Sequence, residues 1–208
     1  ISDEIGNYTN ELAAQEWVAN ADVRIITGTA EEISQAQNNS SNGSHNVFDL
    51  VNNSSQDRIL INTGSEGRQT IVGGPGSNTI YVGDDHDTVT GGGSSDFIDG
   101  GAGYDYLDGG AGYDTINAGD GNDNVKGGSG NDTLNADSGN DVVRGGSGQD
   151  IITGGTGGDT LYGESGRDEI FAGASASIGS SGVTNNVTGG EDGDDMYGSR
   201  DADLFIYE

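Results

Sequence analysis

Aspartates recur every nine residues through the middle of the chain, and their carboxylates are the groups that could do chemistry here. Each stands sixth in a unit of the form G-G-x-G-x-D-x-U-x, in which U is aliphatic. Carboxylates set in glycine-rich backbone offer only oxygen ligands, and such ligands suit Ca²⁺ better than zinc or copper. The pattern therefore predicts calcium ligands at Asp87, Asp96, Asp105, Asp114, Asp123, Asp132, Asp141, Asp150, Asp159, Asp168, Asp194 and Asp203.

Glycines at the first, second and fourth positions of the unit allow positive φ angles, so that six residues can turn sharply. Such a turn aims its carbonyl oxygens to one side and forms a cup of oxygen atoms. We expect these carbonyls to complete the calcium sites, with ligands from Gly101, Gly103, Gly110, Gly112, Gly119, Gly121, Gly128, Gly130, Gly146, Gly148, Gly155 and Gly157.

The last three residues of each unit alternate polar, aliphatic, polar, as a short half-buried strand does. If each unit makes a half-turn, two units complete a coil, and each aspartate lies above the one eighteen residues before it. The aspartates then form two columns, one containing Asp96 and Asp114 and the other containing Asp87 and Asp105. The predicted aliphatic core is Ile80, Val89, Ile98, Leu107, Ile116, Val125, Leu134, Val143, Ile152, Leu161 and Ile170.

The units GGAGYDYLD, GGAGYDTIN, AGDGNDNVK and GGSGNDTLN, between Gly100 and Asn135, resemble the nonapeptide of the repeats-in-toxin (RTX) family. The resemblance implies an all-β fold, a parallel β-roll (a right-handed β-solenoid) that holds roughly eight Ca²⁺ between successive turns. It also implies a bacterial protein that passes through a type I secretion apparatus and folds on calcium outside the cell or at its surface. Its parent could be a toxin, hydrolase, adhesin or surface-layer protein.

The composition excludes several classes of function. The formal net charge of −28 makes nucleic acids and anionic membranes poor partners. No cysteine is present, so disulfides and thiolate metal sites are excluded, and no apolar run is long enough to span a membrane. With 40 glycines and 30% hydrophobic residues the chain would favour disorder unless cations cancelled its repulsion. Because it begins at Ile1 and no signal peptide opens it, we expect a piece of a longer protein.

The organisation along the chain follows the register of the units. Residues 1–46 are predicted to be a small α/β N-terminal cap, or the end of an upstream domain, with helices near 10–20 and 29–37 around a strand at 22–27. Residues 47–208 are predicted to be the β-roll, with regular repeats over 73–171, an irregular turn over 172–188 and terminal repeats over 189–206. We expect the irregular turn to interrupt the calcium ladder.

Two early units depart from the pattern. Gln69 and Asn78 occupy the aspartate position, so calcium at this end is expected to be weak or absent. Val47–Val51 and Arg58–Ile61 read as strands without an acidic ligand, which predicts that the coil begins before the calcium sites.

Other chemistry is less well supported. Asp99 and Asp108 occupy outward strand positions on opposite sheets, so they cannot act as a catalytic pair, and we expect no enzymatic activity in this chain. His45 and His86 are expected to be solvated surface residues. Tyr104, Tyr106, Tyr113 and Phe97 could form a patch that stacks on sugars, which leaves open an alternative function as a carbohydrate- or cell-surface-recognition module.

Overall fold

The computed structural model describes residues 68–173, 184–198 and 203–207 in full, and the backbone of residues 24–26, 45–49 and 58–62. In these ranges the chain forms strands and turns and no helix. The strands are β1 (Arg24–Ile26), β2 (His45–Asp49), β3 (Arg58–Asn62), β4 (Arg68–Gly74), β5 (Asn78–Tyr81), β6 (Thr88–Gly92), β7 (Phe97–Asp99), β8 (Ala102–Gly103), β9 (Tyr106–Ala111), β10 (Thr115–Gly121), β11 (Asn124–Ser129), β12 (Thr133–Ser138), β13 (Val142–Ser147), β14 (Ile151–Thr153), β15 (Thr160–Ser165), β16 (Glu169–Phe171), β17 (Asn186–Glu191), β18 (Asp195–Tyr197) and β19 (Leu204–Ile206).

The strands alternate between two sheets. One sheet has the order β1-β3-β5-β7-β10-β12-β14-β16-β18, with β8 also pairing with β10, and the other has the order β19-β17-β15-β13-β11-β9-β6-β4-β2. All strand pairs in the described ranges are parallel except β1 with β3. Within the regular part each residue pairs with the one eighteen positions away, as Thr115 does with Thr133. The predicted all-β parallel roll, with two nine-residue units per turn, is therefore confirmed.

The core is a narrow column of aliphatic side chains between the two sheets. Along the strands of the regular repeats the residues alternate between buried and accessible, and the eighth residue of every regular unit points inward. All members of the predicted core column are fully buried, from Ile80 to Ile170. Val82, Ala118, Ala136 and Ala172, at the first position of their units, add to the same core.

Each turn depends on left-handed backbone at the second and fourth positions of the unit. With the exception of Gly76, the described glycines there have positive φ angles, for example 118° at Gly92 and 152° at Gly121. Where another residue stands at one of these positions it keeps the same backbone, as Asp85 (φ 76°), Ser94 (64°) and Asp137 (69°) do. A Cβ on Gly92 or Gly121 would also overlap the carbonyl oxygen of the residue one turn earlier. Glycine is therefore required at these positions for steric as well as conformational reasons.

The N-terminal predictions are tested in part. The strand predicted at 22–27 is found as β1, which pairs antiparallel with β3 at the edge of its sheet. The helices predicted near 10–20 and 29–37 lie outside the described residues. β2 and β3 pair parallel with β4 and β5, so the coil begins before the first aspartate of the ladder, as predicted.

The irregular stretch 172–188 counts as a single half-turn. Thr160 in β15 pairs with Asn186 in β17, which is 26 residues away instead of 18, and so this turn contains eight more residues than the others. The neighbouring pair, Glu169 in β16 with Asp195 in β18, has the same 26-residue spacing. The seventeen residues therefore make one enlarged unit, although their number is close to the eighteen residues of two regular units.

Adjacent glycines allow a matched test of the turn. Gly92→Ala should lower the free energy of unfolding by at least about 1–2 kcal/mol, because alanine must adopt left-handed backbone and its Cβ would overlap Gly74 O. Gly93→Ala should stay within about 1 kcal/mol of the parent protein, since the nearest atom to its Cβ would be 3.5 Å away. Urea unfolding of both variants in one calcium-containing buffer measures the difference, and equal destabilisation would contradict the steric account.

Candidate metal centre

The aspartates of the ladder lie along the two edges of the roll, where the chain turns from one sheet to the other. The first column begins at Asn78 and continues through Asp96, Asp114, Asp132, Asp150, Asp168 and Asp194. The second column begins at Gln69 and continues through Asp87, Asp105, Asp123, Asp141, Asp159, Asn185 and Asp203. The structure therefore brings the predicted residues together in two columns, as the nine-residue register required.

One carboxylate oxygen of each aspartate holds the turns in register. The backbone N–H of an aspartate donates to Oδ1 of the aspartate one turn further along the chain. In the described residues nine aspartate pairs are joined in this way, at 2.7–3.0 Å. This contact consumes Oδ1 and leaves Oδ2 to be satisfied by something else.

The other carboxylate oxygen is buried and has no hydrogen-bond partner. This holds for Oδ2 of all ten aspartates from Asp87 to Asp168, whose side chains are at most 3% exposed. A buried carboxylate oxygen without a donor is costly, because it has lost its water and gained nothing in return. A repeated defect of this kind, at the same atom in every unit, indicates a missing positive partner.

The unpartnered oxygens face carbonyl oxygens of the adjacent turn. At Gly91, the point where a Cβ would stand lies against Oδ2 of Asp96 and 2.7 Å from the carbonyl oxygen of Gly109. The same arrangement recurs at Gly109 and Gly145, where the carbonyl oxygen of the next turn is 2.8 Å from that point. Two acceptors thus converge on a space that glycine keeps open and that contains no protein donor.

The predicted glycine carbonyls point along the roll from one turn toward the next. A Cβ on Gly119 would overlap the carbonyl oxygen of Gly101, and a Cβ on Gly121 would overlap that of Gly103. The carbonyl oxygens of Gly110, Gly112, Gly121, Gly128, Gly130, Gly148 and Gly155 lie in the same relation to the residue one turn further on. We call the space between two such turns, bounded by their aspartates and carbonyls, a cage.

The donor set of a cage fits calcium. Within the described part of the chain no three His, Cys, Asp or Glu side chains converge in a way that could hold a metal. Each cage instead combines two carboxylates with backbone carbonyls, and Ca²⁺ is the common cation that accepts many oxygen ligands in irregular geometry. A divalent ion there would satisfy the Oδ2 atoms and separate the converging acceptors.

Burial raises the pKa of the ladder carboxyls. For Asp87, Asp105, Asp114, Asp141 and Asp150 the pKa rises to about 7, and for Asp96 and Asp159 to about 6. Desolvation is the largest cause, and the hydrogen bond from the preceding turn opposes it. Neighbouring carboxylates in the same column raise the pKa of Asp105 and Asp114 further. Without a cation these groups therefore keep their protons to a higher pH than free aspartates do.

The ladder crosses the irregular turn in one column and changes in the other. The backbone N–H of Asp168 donates to Oδ1 of Asp194 at 3.0 Å, so the first column is continuous, and the expected interruption does not occur there. The physical reason is that 172–188 forms a single half-turn, which belongs to the second column alone. In that column Asn185 stands between Asp159 and Asp203. Asp194 and Asp203 are less buried than the central aspartates.

A second ladder, at the fifth position of the unit, was not predicted. The backbone N–H of Asn140 donates to Oδ1 of Asn122 at 2.7 Å, and that of Gln149 donates to Oδ1 of Asn131 at 3.0 Å. His86 belongs to the same series, because its Nδ1 accepts from the backbone N–H of Tyr104 at 2.7 Å. The sequence does contain a signal for this ladder, because units two apart often both have a polar residue at the fifth position. His86 is thus a partly exposed surface residue, as expected, but it is also hydrogen-bonded to the next turn, which the sequence did not predict.

The alternative sites do not assemble. Asp99 lies on β7 and Asp108 on β9, in different sheets, as expected. Phe97 and Tyr106 are separated in the same way, so the four aromatic residues do not form a single patch. Tyr104 instead stacks on His86, with 4.6 Å between ring centroids, and Phe97 packs against Tyr81 at 5.4 Å. The side chain of His45 lies outside the described residues.

Comparison with known proteins identifies the repeat. The family model described as RTX calcium-binding nonapeptide repeat matches residues 63–98, 83–116, 90–125, 117–152 and 144–176, which together span more than half of the 208 residues. Comparisons with curated proteins and with solved structures found no match. In the residues that the structure describes, no helix is long and apolar enough to cross a membrane.

Acid should partly replace calcium. The pKa of an unfolded aspartate is about 3.9, whereas the folded values of several ladder carboxyls are about 7. Between those values the folded state holds more protons than the unfolded state, so the free energy of unfolding falls as pH rises and levels off above the folded pKa. In buffers stripped of metal by a chelating resin, urea unfolding should show a more stable protein near about pH 5 than near about pH 8. The opposite order would show that the ladder carboxylates are already satisfied without a metal.

Proposed function

Because the chain belongs to the family of RTX calcium-binding nonapeptide repeats, we propose that its β-roll folds when Ca²⁺ fills the cages after the protein has left the cell. In this proposal the roll is a structural module of an extracellular or cell-surface bacterial protein. It stiffens and stabilises that protein and carries no catalytic site of its own. Any catalytic or toxic activity of the full-length protein would then reside outside this roll.

The repeated unpartnered Oδ2 is the observation that carries the proposal. Nine pairs of aspartates face each other across successive turns, and each pair frames one cage. We therefore propose about nine calcium ions, one more than the regular repeats predict, because Asp168 and Asp194 frame an additional cage across the irregular turn. Each ion would draw ligands from two turns, so that binding and stacking occur together.

The charge of the chain supports metal-coupled folding. About nine divalent ions would bring roughly 18 positive charges against a formal net charge of −28. Without them, the carboxylates of each column repel one another along the edge of the roll. The core contributes one large aliphatic side chain per strand, so its burial alone offers little to oppose that repulsion. Ions that bind the folded state alone would shift the equilibrium toward the roll.

The calcium gradient across the cell envelope gives the folding a direction. Sites of micromolar to millimolar affinity are empty at the low calcium concentration of a cytosol and filled outside the cell. The unfilled chain would stay extended and fit through a secretion channel, since its charge and glycine content oppose compaction. Folding on the far side would then hinder backward movement, so calcium would assist export by a type I apparatus as well as complete the structure.

Calcium, and not magnesium, should fold the chain. Mg²⁺ requires short, nearly octahedral bonds and gives up water reluctantly, whereas a cage of carbonyls and carboxylates from two turns is wide and adaptable. Circular dichroism of the metal-free chain near neutral pH should show a change from coil to β-structure on titration with CaCl₂. The same change with MgCl₂ alone would refute the proposal.

Export should depend on external calcium and on the central cages. The chain would be fused to a type I secretion signal, and secretion measured with and without calcium outside the cell. A variant with Asp105→Ala, Asp123→Ala and Asp141→Ala empties neighbouring cages of the second column and should lose most of the calcium-dependent increase. Ser129→Ala, Thr133→Ala and Ser147→Ala, whose side chains are exposed on the roll surface, serve as the control. Equal secretion by the two variants would show that export does not depend on calcium-driven folding.

A further inference from the structure

Two asparagines replace aspartates of the ladder and remain deeply buried. Asn78 stands at the beginning of the first column and Asn185 near the end of the second, and both side chains are 3% exposed. An asparagine differs from an aspartate at one atom, where an NH₂ group replaces an oxygen. The replacement removes the charge that a metal needs and adds two hydrogens that can donate.

The side-chain nitrogen of Asn78 is surrounded by oxygen atoms. Nδ2 donates to the carbonyl oxygen of Gly76 at 2.7 Å and to Oδ1 of Asp96 at 2.9 Å, and the carbonyl oxygen of Gly91 lies 3.2 Å away. These oxygens come from both turns that frame the cage. The backbone N–H of Asn78 also donates to Oδ1 of Asp96, at 2.6 Å, so the register contact of the ladder is kept.

Asn185, at the other end of the roll, also donates from its side-chain nitrogen to oxygen atoms of the cage. Its Nδ2 donates to the carbonyl oxygen of Ala172 at 3.0 Å and to Oδ1 of Asp203 at 3.1 Å, which again belong to the two turns that frame the cage. Its Oδ1 accepts from the backbone N–H of Asp159 at 2.7 Å, as an aspartate does elsewhere in the ladder. In both asparagines Nδ2 donates to Oδ1 of the acidic residue one turn further on and to a backbone carbonyl, although the carbonyl belongs to the next turn at Asn78 and to the same unit at Asn185.

In the aspartate units the corresponding atom is the unpartnered Oδ2. For Asp96 that oxygen meets the carbonyl oxygen of Gly109, one turn further on, without a donor between them. At Asn78 the equivalent carbonyl oxygen, that of Gly91, faces an N–H group instead. The amide nitrogen therefore supplies, as a hydrogen-bond donor, the positive partner that the aspartate cages lack.

We propose that Asn78 and Asn185 close their cages without metal, each amide NH₂ taking the place of a calcium ion. This inference rests on the proposed function, because it assigns the cages at two positions of the same ladder to a metal-independent state. A nitrogen that points its hydrogens into the cage repels a cation and occupies the space the cation would need. The roll then contains one position near each end of the calcium ladder where adjacent turns are held together without calcium.

Asn78→Asp and Asn185→Asp test the assignment by restoring the carboxylate. Calcium is counted by native mass spectrometry and by calorimetric titration at saturating calcium. Asn78→Asp completes one aspartate pair and should add one ion, whereas Asn185→Asp completes pairs with both Asp159 and Asp203 and should add two, so that the double variant adds three. Asn124→Asp adds the same charge at an exposed position on β11 and should leave the count unchanged. An unchanged count in both cage variants, when the parent protein binds calcium, would overturn the inference.

A second measurement separates failure of the inference from failure of the proposed function. If the parent protein binds no calcium, the proposed function is wrong, and urea unfolding without metal then decides the role of the amides. Asn78→Asp and Asn185→Asp should lower the urea midpoint below that of Asn124→Asp, because each leaves a buried carboxylate facing carbonyl oxygens. Equal midpoints in the three variants would show that the amides do not hold the cages closed.

Discussion

The convergence of buried oxygen atoms between successive turns is the constraint on which this fold depends. A sharp nine-residue half-turn leaves carbonyls pointing along the roll, and the aspartate that fixes the register brings a second oxygen to the same place. The backbone donors close to each aspartate are already engaged in joining the turns. The excess of acceptors therefore follows from the geometry of the coil, and only a cation, a proton or an added donor can relieve it.

The rest of the unit follows from the need to keep that geometry. Glycine at the second and fourth positions permits left-handed backbone and allows the turns to approach until a carbonyl lies against the next Cα. Each strand of this closely stacked coil contributes one large aliphatic side chain, beside which only a small residue such as Ala118 or Ala136 is added, so the core is narrow. A wider core would require longer strands and larger turns, and the oxygen atoms of adjacent turns would then no longer meet.

The sequence was sufficient to predict the sheets, the two columns and the core, because one period determines all three. It was not sufficient where the number of residues in a stretch is compatible with either one repeat unit or two. Residues 172–188 number nearly two units, and only the pairing of Thr160 with Asn186 shows that they form one. Nor could the sequence predict the ladder through His86 and Asn122. A hydrogen bond from a backbone N–H can be accepted by many polar side chains, so no single residue type is required at the fifth position.

The two edges of the roll are not copies of each other, and the difference lies at the first position of the unit. Every described unit of the first column has glycine there, and at Gly91 and Gly109 a Cβ would lie against Oδ2 of the unit's own aspartate. In the second column Ala118 and Ala136 occupy this position, and a Cβ on Gly100 would be 2.9 Å from Oδ2 of Asp105. In the second column a methyl group is therefore accommodated at Ala118 and Ala136, although a Cβ on Gly154 would still be 2.7 Å from Oδ2 of Asp159, whereas no described unit of the first column carries one. Because the methyl groups also enter the core, the second edge combines apolar burial with its oxygen cages, whereas the first edge keeps its space for the cages alone.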